Sequence, residues 1–398
     1  MKRLLLIGAK TGYQTRAFAE AAVRLGLELT LATDRCHVLD NPWGDDAVAL
    51  EFKDPQDAAR KLAEEKRFDG IAALGDGPAY LAAVAARQLN IPYNSPQSVE
   101  NCRNKFLARK CFYDAGLLTP NFRRISLSGD APSGDVQYPC VLKPLTQSAS
   151  RGVIRANDPA EFAAAFRRIA AIVKPERDEF LLAEDFIPGR EFALEGILTH
   201  GSLHVLAIFD KPDPLDGPFF EETIYVTPTR LPQHAQQEIR SATDQAIRAL
   251  GLTHGPIHAE MRRNERGIWM LEVAARPIGG LCAKVLPGLE ELILRHAAGE
   301  DVSSFVFPKE AAGVMMIPIP QAGVYAGVTG EDEARPIPLI EDVIISAKIG
   351  QHLLPLPEGN SYLGFIFARG GDPVGVESAL RQAHAKLRFE INAALPVL

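Results

Sequence analysis

The chain has 398 residues, enough for two or three domains with sizeable cores, so a peptide, a small disulfide scaffold and a lone binding module are excluded. Its 43 basic and 50 acidic residues leave a net charge of −7, without the broad basic field that non-specific nucleic-acid or anionic-membrane binding needs. Hydrophobic residues at 46% and charged residues at 23% belong to a chain that folds, and five cysteines without a Cys-x-x-Cys pair fit reduced thiols in a cytoplasm.

In chain order, the apolar run Leu4–Ile7 stops at Gly8, too short for a secretory segment, and reads as a first strand over 3–8. Helices over 15–25, 55–65 and 78–89 then alternate with strands over 28–32 and 70–74, which implies right-handed βαβ crossovers and a parallel sheet. Gly8 and Gly12 resemble a phosphate-binding turn, but Lys10 and Tyr13 stand where a dinucleotide fingerprint needs glycine; two turn glycines are the better reading. After the turn Asn94-Ser95-Pro96, one helix from Ser98 to Gly116 carries Lys105, Arg109 and Lys110.

Strands then predominate (140–143, 153–155, 180–183, 192–198, 203–209), with helices over 159–172 and 233–250. Residues 210–232 hold five prolines and read as a long loop, either a lid over a site or a surface excursion. Beyond 305, four more strands and a final helix from Pro373 to about Ile391 make a smaller α+β unit. No segment reaches the roughly eighteen uninterrupted apolar residues of a membrane helix, so no membrane partner is expected.

The segment 257–273 carries the most chemistry. Two strand-like runs flank Arg263-Asn264-Glu265-Arg266-Gly267, which reads as a hairpin. With a three-residue loop Glu265–Gly267 ending on a left-handed glycine and a bulge, Glu260 falls opposite Glu272 on one face. A two- or four-residue loop separates them. Paired carboxylates suit a hard divalent ion, and Mg²⁺ held by one or two carboxylates and substrate phosphates fits best; two solvated glutamates are the bland alternative. Arg276, four residues past Glu272 on the glycine-rich turn Pro277-Ile278-Gly279-Gly280, adds an anion clamp beside open backbone.

Here the sequence resembles the ATP-grasp family, whose metal-binding hairpin carries Glu, about a dozen residues, then Glu-x-Asn-x-Arg. Glu260, Glu272 and Arg276 match; Ala274 stands in place of the asparagine. His258, which lies opposite Ala274 in this register, is either an accessory donor or a packed histidine. Upstream, Val141-Leu142-Lys143-Pro144 followed by Ser148–Val153 is similar to the family's strand lysine and phosphate loop, implying ATP contacts from Lys143, Ser150 and Gly152. Glu184–Glu191 resembles the hinge, which implies that Glu184, Asp185 and Ile187 meet adenine and Glu191 the ribose. Lys105 matches the family's first nucleotide lysine.

The resemblance spans about 98–300. It implies an α/β N-terminal parallel-sheet domain (1–97), an α+β ATP-grasp fold (98–304, hinged near 183–190) and a small α+β C-terminal domain (305–398). The stretches Thr33–Cys36, Asp210–Pro212, Phe219–Glu222 and Glu272–Pro277 look most like L-amino-acid ligases that make dipeptides and their carnosine-synthase-like relatives. That implies a cytoplasmic ligase using ATP and Mg²⁺ (or Mn²⁺) to join small-molecule carboxylate and amine substrates, with Lys143 and Arg276 catalytic, Glu260 and Glu272 on the metal, no nucleic-acid partner, and a homodimer admitted as its assembly. Another ATP-grasp ligase, a non-catalytic nucleotide-binding protein and, with little weight, a nicotinamide dehydrogenase are the alternatives.

Overall fold

In the computed structural model, the described residues are 1–9, 13–34, 47–65, 67–129, 131, 136–174 and 179–393. The turn residues Lys10, Thr11 and Gly12, and Cys36, lie outside them. The four described cysteines are free thiols, as expected. Among the described residues no helix is long and apolar enough to cross a membrane.

The N-terminal strands pair in parallel in the order Ala47–Ala49, Glu28–Thr33, Arg3–Gly8, Gly70–Leu74. Alternate side chains of the first strand face opposite ways: Leu5 and Ile7 pack with Leu62 and Ile71, and Leu4 and Leu6 with Phe18 and Leu31. Both faces are therefore covered, as a parallel sheet requires. The single helix expected over 98–116 is two, Pro96–Arg103 and Lys105–Asp114. Asn104 separates them: its extended backbone ends the first, and its side chain accepts hydrogen bonds from the Phe106 and Leu107 amides to cap the second.

A small antiparallel sheet follows, in the order Phe122–Ser126, Phe180–Asp185, Cys140–Pro144, Ile154–Ala156. Helix Pro159–Val173 buries Phe162, Phe166 and Ile169 in its core. At the crossing to the next sheet Gly189 is required twice over: its φ is +132°, and a Cβ there would lie 2.5 Å from the Arg263 carbonyl oxygen.

The largest sheet has eight antiparallel strands: Gly267–Ala274, Gly255–Asn264, Arg190–Thr199, Ser202–Asp210, Ile224–Thr227, Ala311–Ile317, Gly364–Gly370 and Ile340–Ile345. The loop expected over 210–232 thus contains a buried strand, Ile224-Tyr225-Val226-Thr227, whose β-branched and aromatic residues were hidden between prolines. It pairs with Ala312–Met315, so the sheet continues across residue 305. The final helix also stops early, at His384. Phe389 and Ile391 alternate with polar neighbours, and Arg388–Asn392 pairs as a strand with Gly323–Thr329.

Candidate active site

Where the sheets converge lies a cavity of about 970 Å³, at the upper end of small-molecule sites. Of the expected site residues, Lys105, Lys143, Ser150, Glu184, Asp185, Ile187, Glu191, Glu260, Glu272 and Arg276 all line it. Gly152 does not. It sits behind the loop, where a Cβ would come within 2.7 Å of the Pro144 ring, and its amide donates to the Pro357 carbonyl at 2.9 Å.

Lys143 projects from the small sheet onto Glu184, which also takes a bidentate grip from Arg109 at 2.7 and 3.1 Å. Arg109 is 1% exposed and donates a further bond to the Leu271 carbonyl, tying its helix, the small sheet and the hairpin together. Burial opposes ionisation of Glu184, but the two cations beside it hold its carboxyl down to about 2. Lys143 is lowered, because its burial outweighs the attraction of Glu184. In sequence Arg109 is one of several helix cations; only the fold brings it to Glu184, 75 residues away. Along the hinge, the Asp185 amide donates to Asn121 and the Ile187 carbonyl accepts from Arg262.

The phosphate-loop candidate carries Ala149 and Ser150 at φ 53° and 54°, unusual left-handed conformations for residues with a Cβ. The loop is held from two sides. Lys105 donates from its amide to Leu145 and from Nζ to the Gln147 carbonyl at 2.6 Å. From the far side Arg151 donates to the Glu358 carbonyl, and Arg168 forks onto the Glu358 carboxylate at 2.6 and 2.8 Å.

On the hairpin, Glu260 pairs directly with Glu272, and His258 with Ala274, as expected, but by a different route. The loop is two residues, with Asn264 paired to Gly267, rather than three. A bulge between Glu260 and Met261, with Leu271 as the extra residue opposite, restores the register that the shorter loop shifts by one. Glu272 lies 3.5 Å from Lys105 Nζ. Glu260 Oε1 accepts from Lys211 Nζ at 2.6 Å and the Tyr225 hydroxyl at 3.0 Å, and His258 Nε2 is 3.5 Å from the same oxygen. Against burial, Lys211 and His258 hold Glu260 well below the usual carboxylate range.

Lys211 and Glu222, which carry no role in the sequence analysis, and His258, open there between an accessory donor and a packed histidine, complete the site. Lys211 Nζ bonds Glu191, Glu222 and Glu260 together, and those carboxylates raise it well above the ordinary lysine value despite burial. Glu222, half-buried beside Glu260, is pushed up to about 7 by desolvation and by that neighbouring carboxylate. His258 bonds Glu195, whose other oxygen accepts from the Ile278 amide at 3.0 Å; against burial, Glu195 raises His258 to about 10. His258 is thus a packed partner of two carboxylates. In sequence Lys211 is marked only by following the strand Ser202–Asp210, a placement that does not reveal its partners.

Arg276 pairs with Asp76 at 3.0 Å and folds back onto the Pro277 carbonyl at 3.1 Å. Asp76 opens a helix at the carboxyl end of the parallel strand Gly70–Leu74, the usual position for ligand groups in open parallel sheets. Arg276 lowers the Asp76 carboxyl against burial. One wall of the cavity therefore comes from the N-terminal sheet.

Family models match three stretches: an ATP-grasp N-terminal domain over 19–93, an ATP-grasp domain over 136–285, and an L-amino acid ligase C-terminal domain over 315–392. The chain is 29% identical to a solved L-amino acid ligase from Bacillus licheniformis, with a TM-score of 0.85, covering 98% of this chain and 99% of that one. It is 28% identical to alanine–anticapsin ligase of Bacillus subtilis, over 50% of this chain and 46% of that protein. With dapdiamide A synthase of Enterobacter agglomerans it shares 27% identity, over 45% and 43%. The chain thus matches about half the length of these named curated relatives.

Proposed function

The chain belongs to the ATP-grasp superfamily, and from that premise we propose that it is an ATP-dependent carboxylate–amine ligase acting on amino acids. The observation that carries this reading is the convergence on one cavity of Lys105, Lys143 and Arg276 with the paired carboxylates Glu260 and Glu272. Cations suited to phosphates and oxygen donors suited to a hard metal ion meet there.

ATP lies along the cavity with its base against the hinge Glu184–Ile187, its ribose toward Glu191 and its phosphates beneath the 146–152 loop. Lys143 and Lys105 hold the phosphate chain as point charges, and the left-handed Ala149 and Ser150 turn the loop over it. Glu260 and Glu272 fit a magnesium or manganese ion in donor chemistry, since both present oxygens from one hairpin face into the cavity. When bound, that ion supplies neutralisation of phosphate charge. The carboxylate of the first amino acid attacks the γ-phosphorus and ADP leaves, giving an acyl phosphate. The neutral amine of the second attacks the acyl carbon, phosphate leaves, and the amide nitrogen loses a proton. Arg276, aimed by Asp76, stabilises charge on the acyl phosphate and on the tetrahedral intermediate. The division 1–97, 98–304 and 305–398 is our assignment of domains to these roles.

Incubation with ATP, Mg²⁺ and pairs of amino acids tests the reading. ADP and phosphate in equal amounts, dependent on both amino acids, with a dipeptide mass in the product, are expected. AMP and pyrophosphate, or nucleotide binding without turnover for any amino-acid pair, overturns it.

A further inference from the structure

Lys211 has the environment of a coordinated ion rather than of an ordinary surface lysine. Its side chain is 2% exposed and its Nζ lies 2.8, 2.5 and 2.6 Å from one oxygen each of Glu191, Glu222 and Glu260. Three N–H groups meet three carboxylates, which saturates the donors of an ammonium. The Tyr225 ring centroid is 4.8 Å from Nζ, and the Tyr225 hydroxyl donates to Glu222 and Glu260 at 2.9 and 3.0 Å. The carboxylates come from three places: the second residue of the Arg190–Thr199 strand, the segment before Ile224, and the middle of the hairpin.

Ligand oxygens of Glu191, Glu222 and Glu260 lie within 4.8 Å of one another, a spacing that a divalent ion would accept. An empty nest of this kind would compete with the Glu260–Glu272 pair for the same metal, because Glu260 belongs to both. All three contacts that Glu260 makes with Lys211, Tyr225 and His258 fall on Oε1. Oε2 is the oxygen those contacts leave to a ligand.

We propose that Lys211 is a positioning residue that fills the three-carboxylate nest as a built-in cation, excludes a divalent ion from it, and thereby turns Glu260 toward Glu272. The proposal rests on the reading of Glu260 and Glu272 as the metal pair. Lys211 acts through Glu260, without touching substrate. A hydrated divalent ion cannot enter a nest whose donors are saturated by a tethered ammonium. Loss of that ammonium removes the one cation common to all three carboxylates; Arg262 stays on Glu191 and the Tyr225 hydroxyl stays beside Glu222 and Glu260, but the oxygens that faced Nζ are left without it, and a metal ion is the natural replacement.

The test is a Mn²⁺ titration of the full chain without nucleotide, with free Mn²⁺ read by electron paramagnetic resonance. Lys211→Met is expected to take up one more Mn²⁺ per chain than the parent, and Lys211→Arg, which keeps the cation, to match the parent. Adding Glu222→Gln to Lys211→Met removes one arm of the nest and returns the count to the parent value. ADP release by Lys211→Met should fall about 10–100-fold in kcat, the range for groups that orient metal ligands, with a smaller change in KM for ATP. An unchanged Mn²⁺ count in Lys211→Met that melts like the parent overturns the proposal, as does a gained ion with unaltered kcat. Lys211→Gln, which keeps two donors, carries the same titration if the methionine variant does not fold. The Mn²⁺ count needs no turnover. A gained ion in a chain that makes no amide therefore refutes the reaction while leaving the role of Lys211 standing.

Discussion

The two ends of the cavity solve opposite charge problems with the same residue types. Around Glu184, two cations, Arg109 and Lys143, surround one carboxylate, an excess of one positive charge. Around Lys211 the arrangement is inverted: three carboxylates face one central cation, with Arg262 and His258 against the outer sides of Glu191 and Glu260. The first end keeps positive charge in excess for a phosphate chain, whereas the second turns its carboxylates inward onto a cation of the chain's own. An overall charge of −7 therefore says little about either end, because the fold segregates the charges that composition only sums.

Breaking the first end should give the largest effect. Arg109→Met leaves Glu184 with Lys143 alone in a buried setting, and should cost about 3–5 kcal/mol of stability by urea denaturation. A loss under about 1 kcal/mol would mean that the Glu184 end is not closed on itself. Lys143→Met should instead spare folding, because burial already disfavours its charge, and lower kcat/KM for ATP by about 10²–10³-fold. An equal loss of stability in both variants would erase the distinction between structural and functional cation.

pH sharpens the contrast, because the ends fail in opposite directions. Glu184 is held at about 2 against an ordinary 4.5, so its stabilisation is present above 4.5 and lost as pH falls toward 2. His258, beside the acidic end, is raised to about 10 from 6.5; its contribution is complete below 6.5 and lost as pH rises through 10. Melting temperature across pH should lose its acid limb in Glu184→Gln and flatten at its alkaline limb in His258→Gln. The smallest effect belongs to the exposed fork between Arg168 and Glu358, where Glu358→Ala should cost about 0.5 kcal/mol and raise KM for ATP about twofold.

Much of this was legible in the chain. The βαβ pattern of the first hundred residues and the hairpin follow from local periodicity, and the cavity-lining residues from Lys105 to Arg276 from the resemblance to the ATP-grasp family. What escaped reading was non-local. Nothing near Arg109, Asp76 or Lys211 in sequence reveals that each meets a carboxylate or guanidinium far along the chain. The hairpin is instructive because the pairing of Glu260 with Glu272 was reached through a three-residue loop, whereas a two-residue loop and a bulge at Leu271 compensate each other. Asn104, read inside one helix, breaks it in two because its side chain competes for the amides of the second. Ile224–Thr227 was masked by flanking prolines, and Arg388–Asn392 by an amphipathic helix that ran into it.

The large sheet crosses residue 305, because Ile224–Thr227 pairs with Ala312–Met315. A shortened chain ending near 304 would not be a smaller version of the protein. It would bare the backbone donors and acceptors of a strand whose four residues are all buried, together with Val226 and its apolar neighbours. Such a raw sheet margin is a template for adhesion to other chains. The last hundred residues thus act as a sealed selvedge, and keeping the protein dispersed is as much their task as any contact with substrate.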